Sequence, residues 1–161
     1  MRVMLRPGYD ETIDRMVVAM RIERIIEASA VHAAAELFDT PPLPGATERF
    51  LASDGHHLLL AYDDDGVPVG MISGVELTHP DKGTEMFIYE LGVSEGFRRH
   101  GVATRLVEEL AGIARRAGCY GMWVGTEPDN AAARATYRRA GASEEAPFTL
   151  LNWDFIDGER A

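Results

Sequence analysis

The sequence predicts an α/β protein of the α+β type, with a mixed, mostly antiparallel sheet flanked by helices. Three observations carry this. His56 to Tyr62 and Val67 to Leu77 are strand-like runs joined by Asp63-Asp64-Asp65-Gly66, which is turn chemistry. A third run, Thr84 to Val93, follows a second turn at Thr78 to Gly83, so three strands succeed one another antiparallel. Val102, Leu106, Leu110, Ile113, Ala114 and Ala117 then recur at three- and four-residue steps, one face of a helix, before a further strand at Tyr120 to Thr126. A helical crossover places that strand parallel to the third.

The remaining elements follow in order. Residues 1–19 read as an opening strand and helix or, preferred here, as an extension ahead of a domain spanning residues 20–161. Met20 to Ile25 alternates apolar and charged residues like a short strand, and the alanine-rich stretch Ser29 to Phe38 reads as a helix. Thr40-Pro41-Pro42-Leu43-Pro44-Gly45 breaks the chain, because proline removes a backbone donor and fixes φ. A short helix over Thr47 to Ala52 comes next, capped by Ala46 or Thr47. Ser94 to His100 is a polar, basic loop ahead of the strong helix, and Gly118 stands where a terminating glycine belongs. Pro128-Asp129-Asn130 opens a second helix, Ala131 to Arg139, closed by Gly141. Phe148 to Phe155 reads as a last strand, after a turn near Glu144 to Pro147.

Composition removes several classes. The 161 residues suit one domain, and 46% hydrophobic with 26% charged is ordinary globular composition. Apolar runs such as Met122-Trp123-Val124 are too short to span a bilayer, and the N-terminus carries no signal-peptide stretch. The expected setting is therefore cytoplasmic. The single cysteine, Cys119, excludes an intrachain disulfide and a thiolate metal cluster, and with no activating partner nearby in sequence it reads as packing. His56 and His57 are adjacent on a strand and point to opposite faces, so they cannot chelate one metal; His79 with Pro80-Asp81 reads as a turn. No metal is expected.

The charge is uneven. The chain carries a formal −10, and residues 36–90 hold −9 of it. Such a field repels phosphates of nucleic acid and anionic lipid and attracts cations. No nucleic acid or membrane partner is expected.

The chemistry centres on Gly92-Val93-Ser94-Glu95-Gly96-Phe97-Arg98-Arg99-His100-Gly101-Val102-Ala103-Thr104. A strand runs into a basic loop, which enters a helix whose first turn is small. The first amides of a helix lack internal partners, and the helix dipole favours an anion there. Gly101 and Ala103 let a phosphate approach, while Arg98 and Arg99 supply positive charge. A Walker loop is excluded, because no Gly-Lys-Ser/Thr follows. A Rossmann fingerprint fits poorly after an antiparallel meander.

Together with Asn130, Tyr137 and Arg138-Arg139-Ala140-Gly141, the R-x-x-G-x-A segment at Arg98 to Ala103 resembles the GNAT superfamily of N-acetyltransferases, from about Met20 to Phe155. That resemblance implies acetyl-coenzyme A as the acyl donor. Its pyrophosphate would lie on the amides of Arg98, Arg99, His100, Gly101, Val102, Ala103 and Thr104, and its pantetheine arm along Leu91, Gly92 and Val93. Asn130, Ala133 and Tyr137 would complete the coenzyme site, with Tyr137 protonating the departing thiolate. The stretch Phe87-Ile88-Tyr89-Glu90-Leu91-Gly92-Val93 is similar to the type I aminoglycoside 3-N-acetyltransferases, which usually carry aspartate where Glu90 stands. The resemblance thus implies a cationic amine substrate, an aminoglycoside acetylated at its 3-amino group, and a homodimer.

Glu90 also stands out without the family. A carboxylate within an apolar strand is excluded unless it is paired or put to use. It reads either as a structural ion pair, with an arginine for instance, or as the base that accepts a proton from an ammonium substrate. Tyr137 lies seven residues after Asn130, on the same helical face, and reads as an aromatic anchor or a general acid. Asn130 reads as an N-cap, a coenzyme contact, or both. Glu36, Asp39, Glu76, Glu85 and Asp154 are candidate rim residues for a polycation, and Trp123 and Trp153 are core or cleft walls. Rival functions are acetylation of a polyamine, an amino acid or a protein N-terminus, and a non-catalytic acyl-coenzyme A module.

Overall fold

The computed structural model describes residues 20–145 and 150–153. One sheet of five strands runs in the order β1-β2-β3-β4-β5: β1 Arg21–Arg24, β2 His56–Tyr62, β3 Pro68–His79, β4 Gly83–Val93 and β5 Met122–Trp123. Neighbours are antiparallel from β1 to β4, and β5 joins β4 in parallel. The predicted mixed, mostly antiparallel sheet is what the chain forms. The extension assigned to residues 1–19 lies outside the described residues.

The hairpin and the third strand fall where periodicity puts them, with β3 running on to His79 so that the second turn shrinks to Pro80–Lys82. Three helical expectations shift. The first helix, α1, spans only Ala28–Ala33, and a 3-10 turn follows at Ala35–Leu37. The amide of Ala34 is shared between the carbonyls of Ala30 and Val31, both at 3.2 Å, which tightens the helix end. The second, α2, is Pro44–Leu51 and begins three residues earlier than expected. Pro44 occupies the first turn, where a missing N–H costs nothing and the fixed φ favours the start. The basic loop contains its own 3-10 turn, Glu95–Phe97.

Helix α3, Val102–Arg116, lies across one face of the sheet. Its Val102, Leu106, Val107, Leu110 and Ala114 bury against Met20, Leu59, Ala61, Val69, Ile72, Met86 and Ile88. The approach is close because β3 presents no side chain there. A Cβ on Gly70 would sit 2.7 Å from Val102, and one on Gly74 2.9 Å from Leu110. The opposite face holds a second cluster, Leu58, Leu60 and Met71 under Ile25, Val31 and Ala34, with Leu37, Phe38 and Phe50 at its margin.

The C-terminal half departs most from expectation. β5 is two residues long, not seven, and Leu150 to Trp153 form no strand among the described residues, where Leu150, Leu151 and Trp153 are exposed. A strand needs a partner edge, and none of the described strands pairs with this segment. The rest of the expected last strand lies outside the described residues. Helix α4, Ala131–Arg139, matches its prediction and packs beside α3. Asn130 caps it by accepting from the Ala133 amide at 3.1 Å. Beyond its end, Glu144 accepts from Arg134 at 2.9 and 3.0 Å and from Arg138 at 2.5 Å.

Candidate functional site

Glu90 owes its position to a β-bulge. Ser73 pairs with Glu90 and Gly74 with Ile88, so Tyr89 is an extra residue on β4. Before the bulge, Met86 and Ile88 face α3; after it, Leu91 and Val93 do. The inserted residue reverses the alternation, so Glu90 and Gly92 point to the other face. Gly92 is needed there, since a Cβ would come 2.6 Å from the Leu37 carbonyl oxygen. Glu90 is half-buried, and its Oε1 accepts from the Asp39 backbone amide at 3.0 Å. Burial pushes its carboxyl above the ordinary glutamate range; the Asp39 amide opposes this and the Asp39 charge adds to it. None of the ion pairs among the described residues involves Glu90. Its fixed partner is a main-chain amide, not the arginine of the ion-pair reading.

The basic loop closes with two left-handed residues. Arg99 has φ 64° and Gly101 φ 81°. For Arg99 this conformation costs about 1 kcal/mol. Alternating left-handed residues turn successive amides toward one concavity. Gly101 is the N-cap of α3 without a side-chain cap, and the first helical bond runs from the Arg105 amide to the Gly101 carbonyl at 3.1 Å. Among the described residues, the amides of Arg99, His100, Gly101, Val102, Ala103 and Thr104 donate to nothing. Val102 and Thr104 are buried at the start of the helix. Arg98 donates through Nε to the Val93 carbonyl at 3.1 Å and pins the loop to the end of β4, leaving its other guanidinium donors exposed.

The strands part next to this loop. β5 meets β4 only at Met86↔Met122 and Phe87↔Trp123. Beyond Phe87, the β5-facing edge of β4, including Leu91, Gly92 and Val93, has no strand partner among the described residues. Tyr137 on α4 packs against the α3-side cluster with Leu91, Val93 and Val124. Burial raises its phenol above the usual value, and its hydroxyl makes no hydrogen bond among the described residues. Ala133, half-buried on the same helix, and the amide nitrogen of Asn130 lie one and two turns before it.

The candidate rim acids separate. Asp39 adjoins Glu90, and Glu36 is exposed on the preceding 3-10 turn. Glu85 accepts from the Tyr120 hydroxyl at 2.8 Å, where β4 and β5 still pair. Glu76 does not belong with Glu90. From Gly70 onward even-numbered β3 residues face α3, and the Glu76 Oε1 lies 2.8 Å from Nε2 of the buried His57, in a pocket shared with Arg24, Asp54 and Arg116. Asp154 lies outside the described residues. Cys119 packs on the α3-side core, where burial and Glu76 push its thiol up, in keeping with a packing role. Trp123, expected as a core or cleft wall, stacks in an aromatic wall beside Glu90 whose other members, Phe87 and Tyr89, sequence reasoning missed. The Phe87 and Trp123 rings stand 4.4 Å apart, and Tyr89 meets Phe87 edge-on at 6.1 Å with 68% of its surface exposed. The signal available was the alternation of Phe87 and Tyr89 ahead of Glu90. Among the described residues no three His, Cys, Asp or Glu side chains stand close enough to hold a metal, and no helix is long and apolar enough to cross a membrane.

Comparison with known proteins follows the same outline. Residues 22–142 match the family described as Acetyltransferase (GNAT) family. An L-2,4-diaminobutyric acid acetyltransferase of Streptomyces coelicolor (strain ATCC BAA-471 / A3(2) / M145) is 32% identical over 101 residues, covering 60% of this chain. The chain spans 58% of that protein's length. The crystal structure of an aminoglycoside acetyltransferase, HMB0005, from an uncultured soil metagenomic sample superposes with TM-score 0.70 at 24% identity, over 84% of this chain and 99% of that one. AAC(6')-Iy in complex with the bisubstrate analogue CoA-S-monomethyl-acetylneamine gives TM-score 0.73 at 20% identity, over 84% and 98%. At these identities the structural likenesses show the fold.

Proposed function

Since the chain belongs to the GNAT acetyltransferase family, we propose that it transfers the acetyl group of acetyl-coenzyme A to a primary amine of a polycationic small molecule, with an aminoglycoside as the leading acceptor. One observation carries the donor half of this reading: six consecutive amides, Arg99 to Thr104, without partners at the mouth of the opening between β4 and β5. Those amides and the exposed guanidinium groups of Arg98 and Arg99 suit a diphosphate, and the uncovered edge of Leu91 to Val93 suits an extended amide-bearing arm. Asn130 and Ala133 line the α4 side of the same site.

When bound, acetyl-coenzyme A supplies an acyl carbon activated as a thioester. The chain's own groups orient it and move protons. Glu90 takes a proton from the acceptor ammonium, freeing the nitrogen lone pair that forms the new C–N bond as the C–S bond breaks. A carboxyl held above its ordinary range is better matched to an ammonium proton than a free one. Tyr137 stays protonated at neutral pH, gives its hydroxyl proton to the departing sulfur, and recovers a proton from the second N–H that the new amide nitrogen sheds. Strand amides beside the opening stabilise the transient oxyanion.

The acceptor half rests on charge. Asp39, Glu36 and Glu85 keep the approach to Glu90 negative, in a segment that carries most of the net charge. The acceptor position read from Phe87–Val93 is the 3-amino group, whereas the names of structural neighbours carry 6'-N, so the position of the acetyl group in the product is the deciding observable. A second reading, an α,γ-diamino acid as acceptor, is favoured by the 32% identity to the diaminobutyrate enzyme. Residues 1–19 are taken as an extension to the catalytic domain, and the protein as a cytoplasmic homodimer.

The test is thiol release from acetyl-coenzyme A with gentamicin-class aminoglycosides, 2,4-diaminobutyrate, spermidine and free amino acids, with NMR of any product. Aminoglycosides should be turned over with the highest kcat/KM. Turnover of diaminobutyrate alone would move the assignment to the second reading. Tight coenzyme binding with no transfer to any amine would replace both with a binding module.

A further inference from the structure

We propose that Asp39 is the positioning residue of Glu90: its backbone amide fixes one carboxylate oxygen on the acceptor side of the sheet, while its own carboxylate stands as a second negative group on that side. The inference rests on the reading of Glu90 as the proton acceptor.

The placement of the amide is built into the backbone. The 3-10 turn Ala35–Leu37 sits on β4 at Gly92, whose missing side chain allows the Leu37 carbonyl to come that close. Leu37 and Phe38 anchor the turn on the cluster of Leu58, Leu60 and Met71. Thr40-Pro41-Pro42 follows, and prolines narrow the conformations open to the chain on that side. Asp39 is therefore held between a packed turn and a stiff segment, and its N–H reaches Oε1 at 3.0 Å. A main-chain donor has no rotamer to lose and no proton to titrate, so it fixes the carboxylate across the working pH range.

The two parts of Asp39 act on Glu90 in opposite directions. The amide favours the charged carboxylate, the neighbouring negative charge disfavours it, and burial disfavours it most. Leu37 and Phe38 from the turn, Ser73 directly across on β3 and the exposed Tyr89 just before it on β4 carry no charge, while Glu36 on the turn and Glu85 further back on β4 are the other acids on this side. Among the described residues, Asp39 supplies the charge that acts on Glu90.

The experiment compares kcat/KM against pH for the wild type, Asp39→Asn, Asp39→Pro and Glu90→Gln, using an amine that the wild type acetylates. Both Asp39 variants lose the carboxylate; only the proline loses the amide. Phe38 has φ −90° and ψ 151°, the conformation a following proline requires. The acid limb of Asp39→Asn should move down by about half a pH unit, a modest shift because the pair is partly exposed. High salt should shrink that shift, and the KM for coenzyme should stay unchanged. The limb of Asp39→Pro should lie about half a unit or more above that of Asp39→Asn. Acid limbs in both variants that coincide with wild type, while Glu90→Gln loses the limb, would overturn the role of Asp39. If Asp39→Pro fails to fold, an unmoved limb in Asp39→Asn is sufficient to overturn it. A limb that survives in Glu90→Gln removes Glu90 as the base instead, and with it the ground for this inference.

Discussion

Glu90 and Tyr137 lie on opposite faces of the sheet. Glu90 points toward the turn that carries Asp39, and Tyr137 packs with the core beneath α3. On the proposed mechanism the two groups meet at one reacting atom through the gap where β4, beyond Phe87, no longer pairs with β5.

Glu90→Gln should lower kcat by about a hundredfold or more, the usual worth of a positioned base. The coenzyme dissociation constant should be nearly unchanged, because the amides proposed to hold the diphosphate belong to other residues. In the wild type the acid limb should lie above the ordinary glutamate value, since burial raises the group. Kinetics across pH with calorimetric coenzyme titration checks both points.

Tyr137→Phe keeps the buried ring and removes only a hydroxyl that bonds to nothing among the described residues. Its Tm should stay at or slightly above that of wild type, since removing a buried hydroxyl that makes no hydrogen bond forfeits no interaction. Its kcat should fall about tenfold or more, with the decrease smallest for thioesters of more acidic thiols, which leave without help.

Arg99→Gly separates charge from shape. Glycine adopts φ 64° without strain, so the loop should hold its form and stability should stay level or rise by up to about 1 kcal/mol. The KM for coenzyme should rise severalfold, and less at high ionic strength. An unchanged KM would assign the diphosphate to amides alone.

Glu144 predicts an acid-dependent loss of stability at α4. Arg134 and Arg138 hold its carboxyl down to about 2, so the folded value is depressed. The stabilisation is fully present above the unfolded glutamate value and is lost as pH falls toward 2. The Tm gap between wild type and Glu144→Gln should be visible at pH 7, begin closing below the ordinary glutamate value, and vanish near pH 2. The pair is exposed, so added salt should narrow the gap throughout.

Much of this was legible in the residues, for physical reasons that can be named. The hairpin and α3 declare themselves because each buries one face against a core, which imposes period two or 3.6 on the chain. The helix start at Pro44 was hidden by reading proline as a breaker when it also suits a first turn. The bulge at Tyr89 left no mark in hydrophobicity, because the neighbours of Glu90 from Phe87 to Leu91 are apolar or aromatic whichever face each takes. Gly92 was the available hint, since glycine within a strand marks a bulge or a close backbone approach. Asp39 and Glu76 look alike as acids in a negative segment. What separates them is β3 parity, which ties Glu76 to His57, and a main-chain amide that no side-chain pattern encodes.

Met122 and Trp123 fasten the last strand by two rungs, whereas β3 and β4 are laced along nearly their whole length. Hydrogen exchange should therefore unzip the molecule from one side. The β5 rungs would be labelled in advance of β2 and β3, and anything wedged into that seam would slow the labelling and draw the C-terminal helix into the cooperative unit.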